Sequence, residues 1–163
     1  CRVATDRVSR YLRRASCRGG GASPAMNARK VCLIGDFAVG KTSLVSRFVR
    51  STFGEQYLTT VGVKIDTSYL RDAAGYLLVA DGTRLETLHS AVELQASVER
   101  QLGRVPFSLV LNKADLEDRW ALDQNRLAAV DLRGWRVGRT SALNGNGVET
   151  AFAQLGAQLM HET

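Results

Sequence analysis

Continuous apolar runs alternate with amphipathic segments along most of this chain. The runs at residues 31–34, 76–80 and 107–111 lack polar interruption, and 135–139 is a weaker fourth. Uninterrupted apolar runs of this length are typical of strands that are covered on both faces of a sheet. Their alternation with helical patterns predicts an α/β fold with a mainly parallel sheet and helices on both faces.

The predicted helices carry their apolar residues as stripes. The segment 84–102 has its stripe at Leu85, Leu88, Val92 and Val98. Thr83 and Glu86 have the spacing of a capping box at its start. A short helix is predicted near residues 124–132. The last helix carries Val148, Phe152, Leu155 and Leu159 on one side. These stripes are predicted to be core.

The length and the charge distribution predict one nearly neutral domain with a basic extension. The 163 residues are 45% hydrophobic, which is enough for one domain with its own core. The net charge of +6 is concentrated in residues 1–25, where six arginines face one acid. The rest carries 16 of the 22 basic and 15 of the 16 acidic side chains. This balance predicts no nucleic-acid partner.

Residues 1–25 form the basic extension, and residues 26–163 form the predicted domain. The extension allows three interpretations: a basic amphipathic helix on an anionic membrane, a transit peptide, or a disordered or mistranslated upstream stretch that we favour. Met26 follows a glycine-rich linker and is expected to be the true start. Membrane contact is expected only through this segment. Cys1, Cys17 and Cys32 form no C-x-x-C pair, which predicts a reducing compartment and hence the cytoplasm.

The first motif, residues 35–42, fits the P-loop pattern G-x-x-x-x-G-K-[ST] between a predicted strand and a predicted helix. Its backbone N–H groups and the helix N-terminus would bind phosphates, Lys41 would reach the β- and γ-phosphates, and the Thr42 hydroxyl would bind Mg²⁺. The candidate nucleotide-binding residues here are Gly35, Asp36, Phe37, Ala38, Val39, Gly40, Lys41, Thr42 and Ser43.

The second motif, Asn112-Lys113-Ala114-Asp115, follows the strand predicted at 107–111. Ligands in α/β folds bind at the carboxyl ends of the strands. The Asp115 carboxylate can accept hydrogen bonds from the ring N–H and the exocyclic amine of guanine, whereas adenine offers no matching donors. Placed about 70 residues after a P-loop, this N-K-x-D sequence predicts a guanine site.

These residues resemble the Ras-like small GTPases, most closely the Rab-like members found in bacteria, over residues 29–159. The resemblance implies a Ras-like P-loop fold and Mg²⁺-dependent binding of GTP and GDP, with hydrolysis of GTP in the parent family. It implies that Asn112 braces the P-loop and that the Lys113 stem packs on guanine. It also implies that the backbone of Ser141, Ala142 and Leu143 contacts the base, although Leu143 replaces the family's lysine.

The same resemblance assigns the first switch loop. Thr60 follows Lys41 by 19 residues and would bind Mg²⁺ and sense the γ-phosphate. Lys41 and Thr60 are therefore the predicted catalytic residues, and Thr42 and Thr60 the predicted metal ligands. Phe53 would lie against the guanine edge and Tyr57 over the phosphates. Loop packing is the alternative for both aromatic residues.

The family's Asp-x-x-Gly switch is missing. A strand, a turn, a second strand, the switch and a helix need roughly 35 residues, but residues 62–76 leave far fewer. The interruption is placed between residues 67 and 68, and it removes one internal strand and most of the second helix. The outer edge of residues 31–34 is then expected to be open. Asp72-Ala73-Ala74-Gly75 is interpreted as a decoy of the switch sequence, and Asp81 as a strand-end residue that is not a metal ligand.

Three functions remain open. The first is a GTPase switch with effector and regulator partners. The second is a hydrolysis-deficient pseudo-GTPase or interaction module, since Phe37 replaces a glycine that many Ras proteins carry and would crowd the attacking water. The third is a non-functional deletion product. A P-loop kinase is disfavoured by Asn112 and Asp115.

Overall fold

The computed structural model describes residues 2–4, 30–53, 70, 73–122, 125, 126, 128 and 134–161. Within these residues, five strands form one sheet and three long helices pack on it. The strands are β1 (Arg2–Ala4), β2 (Lys30–Gly35), β3 (Ala73–Asp81), β4 (Phe107–Asn112) and β5 (Val137–Arg139). The helices are α1 (Lys41–Phe53), α2 (Leu85–Leu102) and α3 (Val148–His161).

The sheet order is β1-β2-β3-β4-β5. Strands β2 to β5 run parallel, as the uninterrupted apolar runs predicted, and all four predicted strands are present. Parallel pairing brings their carboxyl ends to one edge of the sheet. The P-loop follows β2 and the N-K-x-D sequence follows β4, so the two motifs lie at the same edge.

Strand β2 contributes to two cores, because successive side chains of a strand point to opposite faces. Val31 and Leu33 join the cluster that includes buried residues of α1 and α3. Cys32 and Ile34 join the cluster that includes buried residues of α2. The predicted α/β fold with helices on both faces is therefore confirmed, and the predicted stripe of α3 is buried.

The outer edge of β2 is paired with β1 in the structure. Strand β1 runs antiparallel to β2, with Arg2 opposite Leu33, Val3 opposite Cys32 and Ala4 opposite Val31. The expectation of an open edge was wrong, because any extended segment can pair backbone N–H and C=O groups without a matching side-chain pattern. The interruption at 67–68 and most of residues 1–25 lie outside the described residues, so both assignments stay predictions.

Strand β3 begins three residues earlier than the apolar run predicted. Ala73, Ala74 and Gly75 are part of this strand, where a nucleotide-sensing loop has no place. A Cβ atom at Gly75 would lie 2.9 Å from the Pro106 carbonyl oxygen and 3.0 Å from Leu159, so close packing explains the glycine. Asp72 lies outside the described residues.

The start of α2 corrects the predicted capping box. Arg84 is the N-cap residue and forms no side-chain cap hydrogen bond. The Thr83 hydroxyl donates instead to the Asp81 carboxylate, at 2.7 Å. The local pattern was overridden because the buried Asp81 carboxylate needs hydrogen-bond donors, whereas water can accept from the N–H groups of an exposed helix N-terminus.

Candidate nucleotide-binding site

The P-loop turns sharply between β2 and α1. Gly35 and Gly40 have φ angles of 152° and 97°. A Cβ atom at Gly35 would lie 2.2 Å from the Val79 carbonyl oxygen, and one at Gly40 would lie 2.2 Å from Nδ2 of Asn112. Both positions therefore require glycine, for backbone conformation and for space.

Lys41 folds back over this loop. Its ammonium donates to the carbonyl oxygens of Gly35, at 2.8 Å, and Asp36, at 2.6 Å. Burial lowers the pKa of Lys41, while the charge of Asp36 acts in the opposite direction. The Asp36 carboxylate accepts hydrogen bonds from the Phe37 N–H, which lowers its pKa most, and from the Ser90 hydroxyl. The cation is thus held where a P-loop lysine would meet phosphate oxygens.

The remaining loop residues divide into packed and exposed ones. Val39 is fully buried in the core beneath α1 and α3. Phe37 is 78% exposed at the tip of the loop. Thr42 and Ser43 are exposed on the first turn of α1. A helix N-terminus with exposed hydroxyl groups suits phosphate oxygens and a hydrated divalent cation.

Asn112 joins the two motifs. Its Nδ2 donates to the carbonyl oxygen of Val39 in the P-loop, at 2.9 Å. Its Oδ1 accepts from the backbone N–H of Ala142, at 3.2 Å, and from the Thr140 hydroxyl, at 3.3 Å. The side chain is buried, so these bonds are made without competition from water. One amide group therefore connects three segments that are far apart in sequence.

Asp115 and the loop after β5 also meet. The Ser141 hydroxyl donates to Oδ1 of Asp115, and Ser141 itself is fully buried. Ala142 is half-buried, whereas Leu143 is 77% exposed. The structure thus brings Asp115, Ser141 and Ala142 together and leaves the Leu143 side chain in solvent.

Lys113 is anchored by a residue whose role the sequence did not reveal. Its ammonium lies 2.6 Å from Oδ2 of Asp81, and its backbone has a φ angle of 67°. Asp81 is fully buried at the end of β3. It also accepts from the Thr83 hydroxyl and N–H and from Nε of Arg84, at 3.1 Å.

The Asp81 carboxylate is ionised over a wide pH range. Burial alone would raise its pKa, but the hydrogen bonds from Lys113, Thr83 and Arg84 outweigh burial and lower the pKa from 3.8 to about 2. The only signal in the sequence was an acidic residue at the end of a predicted strand. The distance in sequence between Asp81 and Lys113 hides this pair from any local pattern.

Arg84 is a second residue that the sequence did not single out. While Nε contacts Asp81, Nη2 donates to the Phe37 carbonyl oxygen of the P-loop, at 3.0 Å. Glu86 lies 3.9 Å from Nη1, a weak exposed pair. Arg84 therefore spans from the end of β3 to the phosphate loop.

Some predicted site residues cannot be placed. Tyr57 and Thr60 lie outside the described residues, and of Phe53 only the backbone, as the last residue of α1, is described. In the described part of the chain, no group of three or more His, Cys, Asp or Glu side chains is arranged to hold a metal ion. Among the same residues no helix has the length and apolarity needed to cross a membrane.

Two family models match the chain. The model of the Ras family matches residues 63–161. The model of Roc, the Ras of Complex domain of DAPkinase, matches residues 30–68. The first match covers more than half of the chain and includes the N-K-x-D sequence, and the second includes the P-loop.

Individual relatives agree. The Ras-related proteins RABA4b and RABA2d of Arabidopsis thaliana are 32% and 28% identical, over 86% and 81% of this chain and 76% and 75% of their own lengths. The Ras-related protein YPTC6 of Chlamydomonas reinhardtii is 30% identical, over 81% of this chain and 75% of its own length. The resemblance to the Rab-like members found in bacteria stays a prediction.

The match with RABA4b extends over 174 residues, more than the 163 of this chain, although only 86% of the chain takes part. The relative therefore has residues inside the matched region that this chain lacks. With the P-loop, the guanine motif, the parallel sheet and these matches in agreement, the chain belongs to the Ras family of small GTPases.

Proposed function

We propose that this chain binds GDP and GTP together with Mg²⁺ at the carboxyl edge of its sheet. The observation that carries the proposal is the buried Asn112 amide, which ties the phosphate loop, the guanine motif and the loop after β5 into one unit. Such a unit is preorganised, so little ordering cost remains when a nucleotide binds.

Mg²⁺ would be held mainly by the nucleotide. This ion usually keeps several waters and takes one or two protein ligands beside substrate phosphates. The exposed hydroxyl of Thr42, on the first turn of α1, fits that need, and Thr60 is the second proposed ligand. Asp81 is unsuited, because Lys113, Thr83 and Arg84 already occupy its carboxylate.

The proposal is tested by competition with fluorescent GDP in the presence of Mg²⁺. Unlabelled GTP should displace the probe and ATP should not, because adenine has no donors that match the Asp115 carboxylate. Asp115→Asn should weaken GDP binding by roughly 100-fold and favour xanthosine diphosphate, whose C2 carbonyl can accept from the new amide. Asp118→Asn, the same change at an exposed residue, should leave both affinities unchanged. Equal displacement by ATP and GTP would reject a guanine site.

We further propose that GTP turnover by the chain alone is slow. The bulky Phe37 side chain is exposed at the tip of the P-loop, and there it would crowd the attacking water. The part of the D-x-x-G-like sequence that is described, Ala73 to Gly75, lies in a strand. Phosphate binding uses backbone groups and is less affected by either feature. Tight GTP binding without phosphate release on the hour scale would support this view, whereas turnover comparable to that of an intact Ras-like protein would contradict it.

A nucleotide-binding interaction module is therefore the form of the family function that we favour, and effectors or regulators of the Ras type are its proposed partners. A location in the cytoplasm stays a prediction from the cysteine pattern. Aggregation of the purified chain, without a cooperative unfolding transition, would instead favour a non-functional deletion product.

A further inference from the structure

The P-loop is tied to the rest of the sheet through two of its carbonyl oxygens. Arg84 holds the carbonyl of Phe37, at 3.0 Å, and Asn112 holds that of Val39, at 2.9 Å. A peptide unit is planar and trans, so its C=O and the N–H of the next residue point in opposite directions. Fixing the Phe37 carbonyl therefore also fixes the direction of the Ala38 N–H.

Ala38 needs such support. Its φ angle is 58°, a left-handed conformation that costs a non-glycine residue of order 1 kcal/mol or more. Ala38 is exposed, so packing of its own side chain does not hold it there. A hydrogen bond to the preceding carbonyl, from a charged donor, can stabilise this conformation.

Arg84 can make this contact because it is itself anchored. Its guanidinium offers donors in a rigid fork, so Nε can bind Asp81 while Nη2 binds Phe37. The anchor is the fully buried Asp81 carboxylate, which also holds Lys113 at 2.6 Å. The phosphate loop and the lysine of the guanine motif are therefore attached to the same carboxylate.

We propose that Arg84 is a positioning residue of the nucleotide site: anchored on Asp81, it holds the Phe37 carbonyl and so aims the Ala38 N–H at a bound phosphate. Through the shared carboxylate, the same contact links the phosphate loop to Lys113. This inference rests on the proposed function, because it concerns how that site binds a nucleoside diphosphate.

The test compares four forms of the full chain: wild type, Arg84→Ala, Arg84→Lys and, as a control on the exposed face of α2, Arg100→Ala. The first measurement is the Kd for GDP with Mg²⁺. Arg84→Ala should raise it by roughly tenfold, as expected for loss of a charge-assisted hydrogen bond. Arg84→Lys should show most of this loss, because a single ammonium lacks the rigid fork that serves both acceptors. Arg100→Ala should match wild type.

The second measurement is spectroscopic. GDP binding should move the Ala38 amide proton downfield in wild type, as a hydrogen bond to phosphate requires, and this shift should be reduced in both Arg84 variants. Wild-type affinity and an unchanged Ala38 shift in Arg84→Lys would overturn the positioning role, since positive charge alone would then suffice. Failure of wild type to bind GDP would overturn the proposed function and this inference together, and the melting temperature of Arg84→Ala shows whether that variant is folded.

Discussion

Two parts of the sheet are built very differently: the inner flank, which is the β3–β4 pair, and the outer flank, which is the β1–β2 pair. On the inner flank, β3 and β4 pair over six residues in parallel, and Tyr76, Phe107 and Trp135 form successive aromatic contacts at 5.2 Å. On the outer flank, β2 is covered by three residues of β1 in antiparallel register. The guanine motif lies at the end of β4, whereas the P-loop lies at the end of β2, which pairs on its outer side with only the three residues of β1.

The P-loop, although it follows β2, receives hydrogen bonds from residues on or just after β3 and β4. Asn112 and Arg84 both reach across to its carbonyl oxygens, and both begin from inner strands or from the turn after one. These two hydrogen bonds can hold the P-loop in place although β2 pairs with only three residues on its outer side.

The largest loss of stability is expected when a buried side chain of the inner flank is shortened. Leu109 is fully buried on β4, opposite Leu78 and Val137 in register. Leu109→Ala should lower the free energy of unfolding by about 2–5 kcal/mol, through lost burial and the cavity left behind. Urea unfolding measures this change. Leu143→Ala, at a residue that is 77% exposed, should stay within about 0.5 kcal/mol of wild type. Equal effects of the two variants would show that the inner flank is not a packed core.

A smaller effect, of about 2 kcal/mol, is expected at Asp81 and should depend on pH. Its folded pKa of about 2 lies below the ordinary 3.8, so its carboxylate stabilises the fold above the ordinary value and loses that contribution as pH falls through about 2. Urea unfolding of wild type and Asp81→Asn at several pH values tests this. Wild type should be the more stable near pH 5, and the gap should shrink towards pH 2.

The control for Asp81 is Asp118→Asn, which removes an exposed carboxylate. The gap between Asp118→Asn and wild type should be small at each pH, since screened surface charges contribute little. A gap between wild type and Asp81→Asn that does not change with pH would contradict an ionised, hydrogen-bonded Asp81.

The smallest effect is expected on the outer flank. Val3→Pro should weaken the pairing of β1 with β2, because proline has no N–H and fits poorly inside a strand. With only three residue pairs in this contact, the loss in unfolding free energy should be about 1 kcal/mol or less. Hydrogen exchange of those amides among Val31 to Leu33 that point towards β1 should accelerate in Val3→Pro and not in Val3→Ala. Identical exchange in all three proteins would show that β1 does not protect this edge.

Much of the fold and of the site was predictable from local patterns. Strands β2, β3 and β4 follow from continuous apolar runs, because burial on both faces leaves no place for polar residues. The P-loop and the N-K-x-D sequence follow from glycine, lysine and carboxylate chemistry at fixed spacing. Their common location follows from parallel pairing alone.

Contacts between residues that are distant in sequence were not predictable in this way. The sequence by itself determined the α/β class, the two motifs and the stripes of the helices, since each depends on neighbours within a few positions. Only the tertiary structure decided that Asp81 anchors Lys113, that Arg84 reaches the Phe37 carbonyl and that residues 2–4 pair with β2. A buried carboxylate or an unpaired strand edge accepts whichever donor the fold brings near, and side-chain identity alone does not say which one that is.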